Sequence, residues 1–280
     1  MKKLIVLADW AEDSMTRQEV RTAVEGNLKN PSSSTPNISF VSATPSTIHT
    51  AYLLRQLVET EARYGRPSET VIFQNTDPRL AASYKLTDAR GADFLVIRLT
   101  NGMYLCGPNA GYDFSFIKDM IHEVFTYEGF DRGGQFRSRD LYSRMCAHLM
   151  DAMEDELEFE QCRTTIIPEV SGHFIGHIDN YGNIKTTFTL EDIKGVCELG
   201  EYVDVIIGES SARAMYAKHL FGACLGELAI YPGSSGHKDN PYMEISAWSH
   251  FDSAGVKTGA HHFRDPRPGA QVSLSPIKKK

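Results

Sequence analysis

The feature that most constrains this fold is the regular alternation of strand and helix patterns in the first third of the sequence. KLIVLAD is a short apolar run that ends at Asp9, and ISFVSAT and TVIFQNTD are two further runs of the same kind. Two amphipathic segments separate these runs, one carrying Val20, Val24 and Leu28 and the other extending from about residue 48 to 64. This strand–helix order predicts an α/β N-terminal domain that is doubly wound around a mainly parallel sheet.

The next segments predict a hairpin and two more helices. Asn101 and Gly102 lie between two apolar runs, which is the strongest hairpin signal in the chain. Two later segments carry apolar residues at helical spacing and predict amphipathic helices. Their apolar residues are Ile117, Met120, Ile121 and Val124 in the first and Leu141, Met145, Leu149 and Met153 in the second.

The sequence changes character near residue 166. From there onward short strand patterns alternate with the turn signals SG, NYGN, ELGE and GSSG, and one segment, SARAMYAKHLFGA (211–223), is typical of a helix. This pattern predicts a smaller, mainly-β C-terminal domain that is barrel-like. We therefore predict an α/β domain at 1–163, a barrel-like domain at 168–270 and a loosely ordered tail at 271–280.

Composition excludes several classes of function. The chain has 36 acidic and 29 basic residues and a net charge of −7, which argues against nucleic acid or an acidic membrane as a partner. No apolar run reaches the ~20 residues of a membrane span, and Asp9 interrupts the first run too early for a secretory signal. Five dispersed cysteines suit reduced thiols. We expect a soluble cytoplasmic protein.

Polar residues at strand ends are the first candidates for a ligand site. The first and third strand patterns end in Asp9 and Asp77, and ligands of open parallel sheets bind beyond the carboxyl ends of strands. Position alone equally allows a loop or capping role for both aspartates. His173 and His177 lie four residues apart in a strand pattern with no third ligand nearby, so we predict no metal site.

Three local clusters each combine a turn with groups that can hold a polar ligand. They are DNYGN (179–183), GSSG (233–236) and FRSRD (136–140). These clusters occur along the chain together with LADWAEDSMTRQEV, Asp77-Pro78 and NGMYLCGPNAG. Taken in chain order, the whole set resembles the S-adenosyl-L-methionine hydroxide adenosyltransferases, a family that also contains fluorinases and chlorinases. The resemblance extends from about residue 3 to 269.

The resemblance implies a role for each matching residue, with S-adenosyl-L-methionine as substrate and no cofactor. Tyr181 would stack on adenine, Asn183 would bind the edge of the base, and Asp179 would pair with the methionine ammonium. The remaining implied contacts are Asp9 with the ribose hydroxyls, Ser234 and Ser14 with the methionine carboxylate end, and Phe136 and Ser138 with the surroundings of the nucleophile.

The resemblance implies displacement at the ribose 5′ carbon with methionine as the leaving group. Asp77 matches the aspartate of the hydrolytic members, which favours hydrolysis to adenosine and methionine. The arginine of those members falls on Tyr84, and their histidine falls on Arg137, which cannot act as a base but can supply positive charge. A catalytically silent adenosine or S-adenosyl-L-methionine binder and a 5′-halogenase therefore stay open as alternatives.

The resemblance also implies a partner. Such enzymes are homotrimers in which the N-terminal domain of one chain and the C-terminal domain of the next hold the ligand together. A head-to-tail contact that closes into a ring would repeat this arrangement three times. A monomer that binds its ligand between its own two domains is the alternative, since domain junctions are common ligand sites.

Overall fold

The chain divides into two compact units, Met1–Val170 and Ser171–Lys280. The computed structural model describes residues 2–30, 35–78, 92–130, 134–250 and 257–277. Within these ranges, no helix has both the length and the apolar character needed to cross a bilayer.

The first unit is built on a seven-stranded sheet in the order β2-β1-β3-β5-β4-β6-β7. Its strands are β1 (Lys3–Ala8), β2 (Ile38–Ser42), β3 (Thr70–Asn75), β4 (Phe94–Leu99), β5 (Tyr104–Pro108), β6 (Ile121–Thr126) and β7 (Glu160–Cys162). Its helices are α1 (Ser14–Asn27), α2 (Thr47–Tyr64) and α3 (Ser143–Met150), and a π-helical turn at Ser138–Tyr142 leads into α3.

The sheet is mixed. The pairs β1–β2, β1–β3 and β3–β5 are parallel, whereas β4–β5, β4–β6 and β6–β7 are antiparallel. The prediction of a mainly parallel sheet therefore describes only the first part of the strand order. The Asn101-Gly102 hairpin is confirmed, and it is the reason for the change, because it returns the chain antiparallel beside β4. Gly102 has a φ of +83°, which a tight turn of this kind requires.

Helices cover both faces of this sheet. Alternate residues of β1 point to opposite faces, as the pleat dictates. Leu4 and Val6 pack in one apolar cluster with α1 and α3, and Ile5 and Leu7 pack in another with α2. Helix α1 is capped by Asp13, whose carboxylate accepts a hydrogen bond from the Met15 amide at 3.1 Å.

The second unit is a closed barrel in the order β10-β11-β12-β13-β9-β8-β14, with β14 pairing back to β10. Its strands are β8 (His173–Ile178), β9 (Ile184–Thr189), β10 (Tyr202–Ile207), β11 (Ser210–Tyr216), β12 (Leu228–His237), β13 (Asn240–Ala247) and β14 (Gln271–Pro276). One short helix, α4 (Leu190–Lys194), follows β9. The α/β unit and the barrel agree with the predicted fold class at this level.

Three predicted elements are wrong, each because strand pairing overrides a local pattern. Residues 117–124 form a 3₁₀ turn (Ser115–Met120) and β6, which pairs with β4 and β7. Residues 211–216 belong to β11, where Ala214 and Tyr216 are buried and Arg213 faces outward with strand periodicity. Residues 271–276, predicted as tail, form β14, which closes the barrel.

Candidate functional site

In the first unit, acidic side chains gather where parallel strands end. Asp9 directly follows β1, Asp77 follows β3 by two residues, and the Asp9 amide donates to the Asn75 carbonyl at 3.4 Å. Burial raises the pKa of Asp9, and the Asp77 carboxylate adds to this effect. The two predicted aspartates therefore lie close enough to interact electrostatically.

A third aspartate, Asp113, belongs to this group and was missed by sequence reasoning. Its side chain is completely buried, and neither carboxylate oxygen has a side-chain hydrogen-bond partner among the described residues. Burial raises the pKa of Asp113 well above its usual range, the charges of Asp77 and Asp9 act in the same direction, and only nearby backbone amides oppose them. The available signal was an aspartate next to Phe114 in an apolar segment, since buried aspartates are rare unless paired.

Arg137 and Tyr142 complete what we call the strand-end cluster: Asp9, Asp77, Asp113, Arg137 and Tyr142. Burial raises the pKa of the Tyr142 hydroxyl, and the charge of Asp77 raises it further. A hydrogen bond with Arg137 lowers the pKa and opposes this rise. Arg137 immediately precedes the π-helical turn, and Tyr142 ends it. This irregular turn is how the chain brings a cation and a phenol to the carboxylates.

The other predicted residues of this unit lie around the cluster. Ser138 is buried, and its hydroxyl accepts a hydrogen bond from Nδ2 of the Asn75 side chain, which ties the FRSRD segment to the end of β3. The ring of Phe136 packs edge-to-face against Trp10, the residue after Asp9, with ring centroids 5.8 Å apart. Ser14 is the exposed first residue of α1. Tyr84 lies outside the described residues.

In the second unit, residues 179–183 form the turn between β8 and β9. Asp179 Oδ1 accepts hydrogen bonds from the amides of Tyr181 at 2.9 Å and Asn183 at 3.0 Å. Asp179 Oδ2 accepts from Asn183 Nδ2 at 3.0 Å. Gly182 adopts a φ of +70°, and the Tyr181 side chain is 61% exposed. Asp179 and Asn183 thus organise the turn, and Tyr181 presents its ring to the surface.

A buried chain of hydrogen bonds fixes the Asn183 amide. Asn183 Oδ1 accepts from Ser246 Oγ at 2.7 Å, and the Tyr231 hydroxyl donates to Ser246 Oγ at 3.1 Å or Glu244 Oε1 at 2.8 Å. Lys185 Nζ pairs with Glu244 Oε2 at 2.8 Å. The amide nitrogen therefore faces a carboxylate and the amide oxygen faces a hydroxyl. Sequence reasoning did not identify this support, because its members lie on three different strands.

A second segment packs over the same turn. The Ala260 amide donates to the Gly182 carbonyl at 2.8 Å. A side chain at Gly182 would place its Cβ 2.3 Å from Thr258 Oγ1, and one at Gly259 would place it 2.6 Å from the Ile245 carbonyl. Ser234 is exposed on β12, where the pairing with β13 is irregular, and its neighbour Ser235 is buried.

The predicted site residues therefore form two groups. The structure brings Asp9, Asp77 and Arg137 together in the strand-end cluster, with Ser138 held to the end of β3. It gathers the DNYGN residues in one turn of the barrel. Among the described residues, no set of three or more histidine, cysteine or acidic side chains is arranged to hold a metal ion. His173 instead stacks on Phe188, with ring centroids 3.9 Å apart.

Solved structures share this fold over nearly the full chain. An uncharacterized conserved protein from Thermotoga maritima matches with a TM-score of 0.64 and 17% identity, over 97% of this chain and 99% of that one. A conserved hypothetical protein from Thermus thermophilus matches with a TM-score of 0.61 and 18% identity, over 98% and 100%. No protein-family model and no curated protein sequence matches the chain. At these identities the likeness concerns the fold alone.

Proposed function

We propose that this protein catalyses nucleophilic displacement at the ribose 5′ carbon of S-adenosyl-L-methionine, namely hydrolysis to adenosine and L-methionine. The observation that carries the proposal is the meeting of Asp9, Asp77 and Asp113 in one cluster, at the strand ends where open α/β sheets bind ligands. Such a cluster has a negative potential, which attracts a cationic sulfonium substrate.

Three members of the strand-end cluster have direct roles in this proposal. Asp9 accepts hydrogen bonds from the ribose hydroxyls, and Asp77 orients the attacking water and accepts its proton. Arg137 supplies positive charge beside the reacting water, because a guanidinium does not lose its proton in proteins. Phe136 and Ser138 border the nucleophile and limit its contact with bulk water.

The barrel supplies ligand contacts from residues that its own hydrogen bonds hold in place. Tyr181 stacks on adenine with its exposed ring, and Asn183 presents an amide already fixed by Ser246 and Asp179. Such pre-organisation lowers the entropy lost on binding. Asp179 binds the methionine ammonium, and Ser234 and Ser14 bind the methionine carboxylate end.

The chemistry places modest demands on these groups. The C5′–S bond breaks with its electron pair left on sulfur, so the leaving group departs as a neutral thioether and needs no general acid. The protein must hold water in line with that bond and accept one proton. Asp77 is the side chain proposed for that task.

Product analysis tests the proposal directly. Purified protein is incubated with S-adenosyl-L-methionine in a chloride-free buffer, and adenosine and methionine are quantified by chromatography. We expect equal amounts of both products, a strong loss with Asp77→Asn, and unchanged turnover with the exposed surface variant Asp239→Asn. Adenosine no higher than in a protein-free blank would refute the enzymatic proposal.

A catalytically silent binder is the second candidate, and one observation favours it. Arg137 occupies the place where a proton-accepting histidine is expected from the resemblance, so the cluster could bind without turnover. Calorimetry that shows binding of S-adenosyl-L-methionine or adenosine, together with no product over hours, would select this candidate.

The halogenase alternative is less well supported by the cluster. The carboxylates of Asp9 and Asp77 repel a halide ion, whereas water carries no charge. Repeating the product analysis with added chloride, bromide or fluoride distinguishes the two, since only a halogenase makes a 5′-halo-adenosine.

The proposal extends to the winding of the first unit and to the assembly of the chain. Helices on both faces of the first sheet support a doubly wound description of that unit. We further propose a cytoplasmic homotrimer without nucleic-acid or membrane partners. Light scattering then gives about three times the 31.3 kDa mass of one chain.

A further inference from the structure

Asp113 is a fully buried carboxylate in the first unit, and the proposed reaction gives it no role. It lies between β5 and the 3₁₀ turn Ser115–Met120, with no accessible surface. Neither oxygen has a side-chain partner among the described residues. An isolated buried carboxylate is costly when ionised, so such a group is retained as the neutral acid unless a cation is near.

The groups that face Asp113 make ionisation still less favourable. Asp77, two residues after β3, and Asp9, directly after β1, both raise its pKa through their charges. Arg137, the cation of the strand-end cluster, instead forms a hydrogen bond with Tyr142. Among the described groups, only backbone amides near Asp113 favour its charged form, and no side-chain cation does.

Cations and titratable groups on neighbouring elements are engaged elsewhere. Helix α2 begins beside this loop, because a Cβ at Gly111 would lie 2.9 Å from Thr47 Oγ1. The groups of α2 and of the 3₁₀ turn have other partners, namely Thr44 for His49, Asp119 for Arg55 and Glu169 for Lys118.

We propose that Asp113 holds a proton in the empty site, releases it when a cationic ligand enters the strand-end cluster, and regains one when that positive charge disappears. The side chain acts through the charges of Asp9 and Asp77, because it has no accessible surface with which to touch a ligand itself. This inference rests on the proposed function, to which it adds a link between ligand charge and protonation.

The proton balance of hydrolysis fits this role. Binding of the sulfonium displaces the Asp113 proton to solvent. The O–C5′ bond then forms as the C5′–S bond breaks with its electron pair on sulfur, so the positive charge is lost and the attacking water gives up one proton. Asp77 accepts that proton and passes it to Asp113, which has recovered its preference for the neutral form. No further reactant is needed.

Calorimetry with two non-reacting ligands tests the inference. One is a substrate analogue with a protonated amine in place of the sulfonium, and the other is S-adenosyl-L-homocysteine, whose sulfur is uncharged. Titrations in buffers of different ionisation enthalpy count the protons released. We expect up to one proton to be released when the cationic ligand binds and about none when the neutral ligand binds. At pH values below the pKa of Asp113, the affinity for the cationic ligand should rise up to tenfold for each unit by which the pH increases.

Variants assign the proton to its residue. Asp113→Asn should abolish the extra release and flatten the pH dependence of affinity for the cationic ligand, while Asp119→Asn should keep both. Asp113→Leu repeats the test without a polar side chain if the amide variant folds poorly, as judged by circular dichroism and thermal unfolding.

Each outcome decides a different question. Failure of the wild-type chain to bind either ligand removes the proposed function and this coupling with it. Binding of the cationic ligand with the same proton count as the neutral one overturns the coupling alone and leaves the proposed function in place. Proton release that persists in both Asp113 variants assigns the proton to another group and refutes the role of Asp113.

Discussion

The strand-end cluster and the 179–183 turn contain the same kind of group in opposite surroundings. In the turn, the Asp179 carboxylate accepts three hydrogen bonds from its own loop. In the cluster, the Asp113 carboxylate has no side-chain partner within the described part of the chain, and other carboxylates face it. The hydrogen bonds of the turn are therefore satisfied within the turn, which offers a rigid surface to a ligand. In the cluster, repulsion between carboxylates is unfavourable, and a bound cation can offset it.

The largest effect is expected at the centre of the cluster. Asp77→Asn removes the proposed proton acceptor, so the turnover number should fall about 10²- to 10⁴-fold, the usual contribution of a positioned acid or base. Affinity for the neutral S-adenosyl-L-homocysteine should change only a few-fold. Single-turnover rates and calorimetry measure both quantities, and a variant with wild-type turnover would exclude Asp77 from the chemistry.

The comparison predicts that aspartate substitutions cost stability in the turn and not in the cluster. Asp179→Ala leaves two backbone amides and one side-chain amide without their acceptor, so the free energy of unfolding should fall by about 1–3 kcal/mol. Asp9→Ala should change it by less than about 1 kcal/mol, because burial already opposes the charged form of Asp9. Both variants should lose ligand affinity.

Urea unfolding monitored by fluorescence separates the two cases. The chain has two tryptophans, Trp10 in the first unit and Trp248 in the second, so single-tryptophan variants report on each unit. Equal destabilisation by the two alanine variants would contradict the distinction between the turn and the cluster.

Two glycine substitutions test how tightly the 179–183 turn is packed. Gly182→Ala has two costs, a φ of +70° and a Cβ placed 2.3 Å from Thr258 Oγ1. Gly208→Ala, in the β10–β11 turn, has only the first cost, because φ is +57° and open space surrounds its Cβ position. Left-handed backbone costs an alanine about 1–2 kcal/mol. We expect the free energy of unfolding to fall by that amount in Gly208→Ala and by more in Gly182→Ala. The midpoints of urea unfolding measure both losses. Equal losses would show that the Thr258 side chain moves aside freely.

The smallest effect is a difference in the sign of pH dependence. The folded chain holds the Asp9 proton more tightly than the unfolded chain, so the Asp9 contribution to stability is full below its ordinary pKa of 3.8 and is lost as pH rises through the folded value. Burial and Lys185 lower the pKa of His177, so its contribution is full above 6.5 and is lost as pH falls through the folded value.

Substitutions separate these two contributions. Asp9→Asn should weaken the loss of stability in the first unit as the pH rises above 3.8. His177→Gln should weaken the loss in the second unit as the pH falls below 6.5. The single-tryptophan variants at a series of pH values supply the measurement, and Asp239→Asn serves as an exposed control. Slopes unchanged by both substitutions would remove this explanation.

Much of the candidate site could be predicted from sequence because its signals are local. Asp9 and Asp77 end apolar strand patterns, and the DNYGN turn contains the glycine, aspartate and asparagine that such a bend requires. Asp113, Tyr142 and the Ser246–Tyr231–Glu244 support could not be found in this way. They acquire their roles from neighbours that are distant in sequence and from burial, which a local pattern does not encode.

The same division holds for the fold. The sequence alone determined the first β–α–β–α–β order, the Asn101-Gly102 hairpin and the turn at Gly182, because apolar periodicity and turn geometry depend on adjacent residues. Only the tertiary structure decided that 121–126 and 211–216 are strands and that 271–276 closes the barrel. A strand exists through hydrogen bonds to a partner that lies elsewhere in the chain, so the partner, rather than the local spacing of apolar residues, determines those elements.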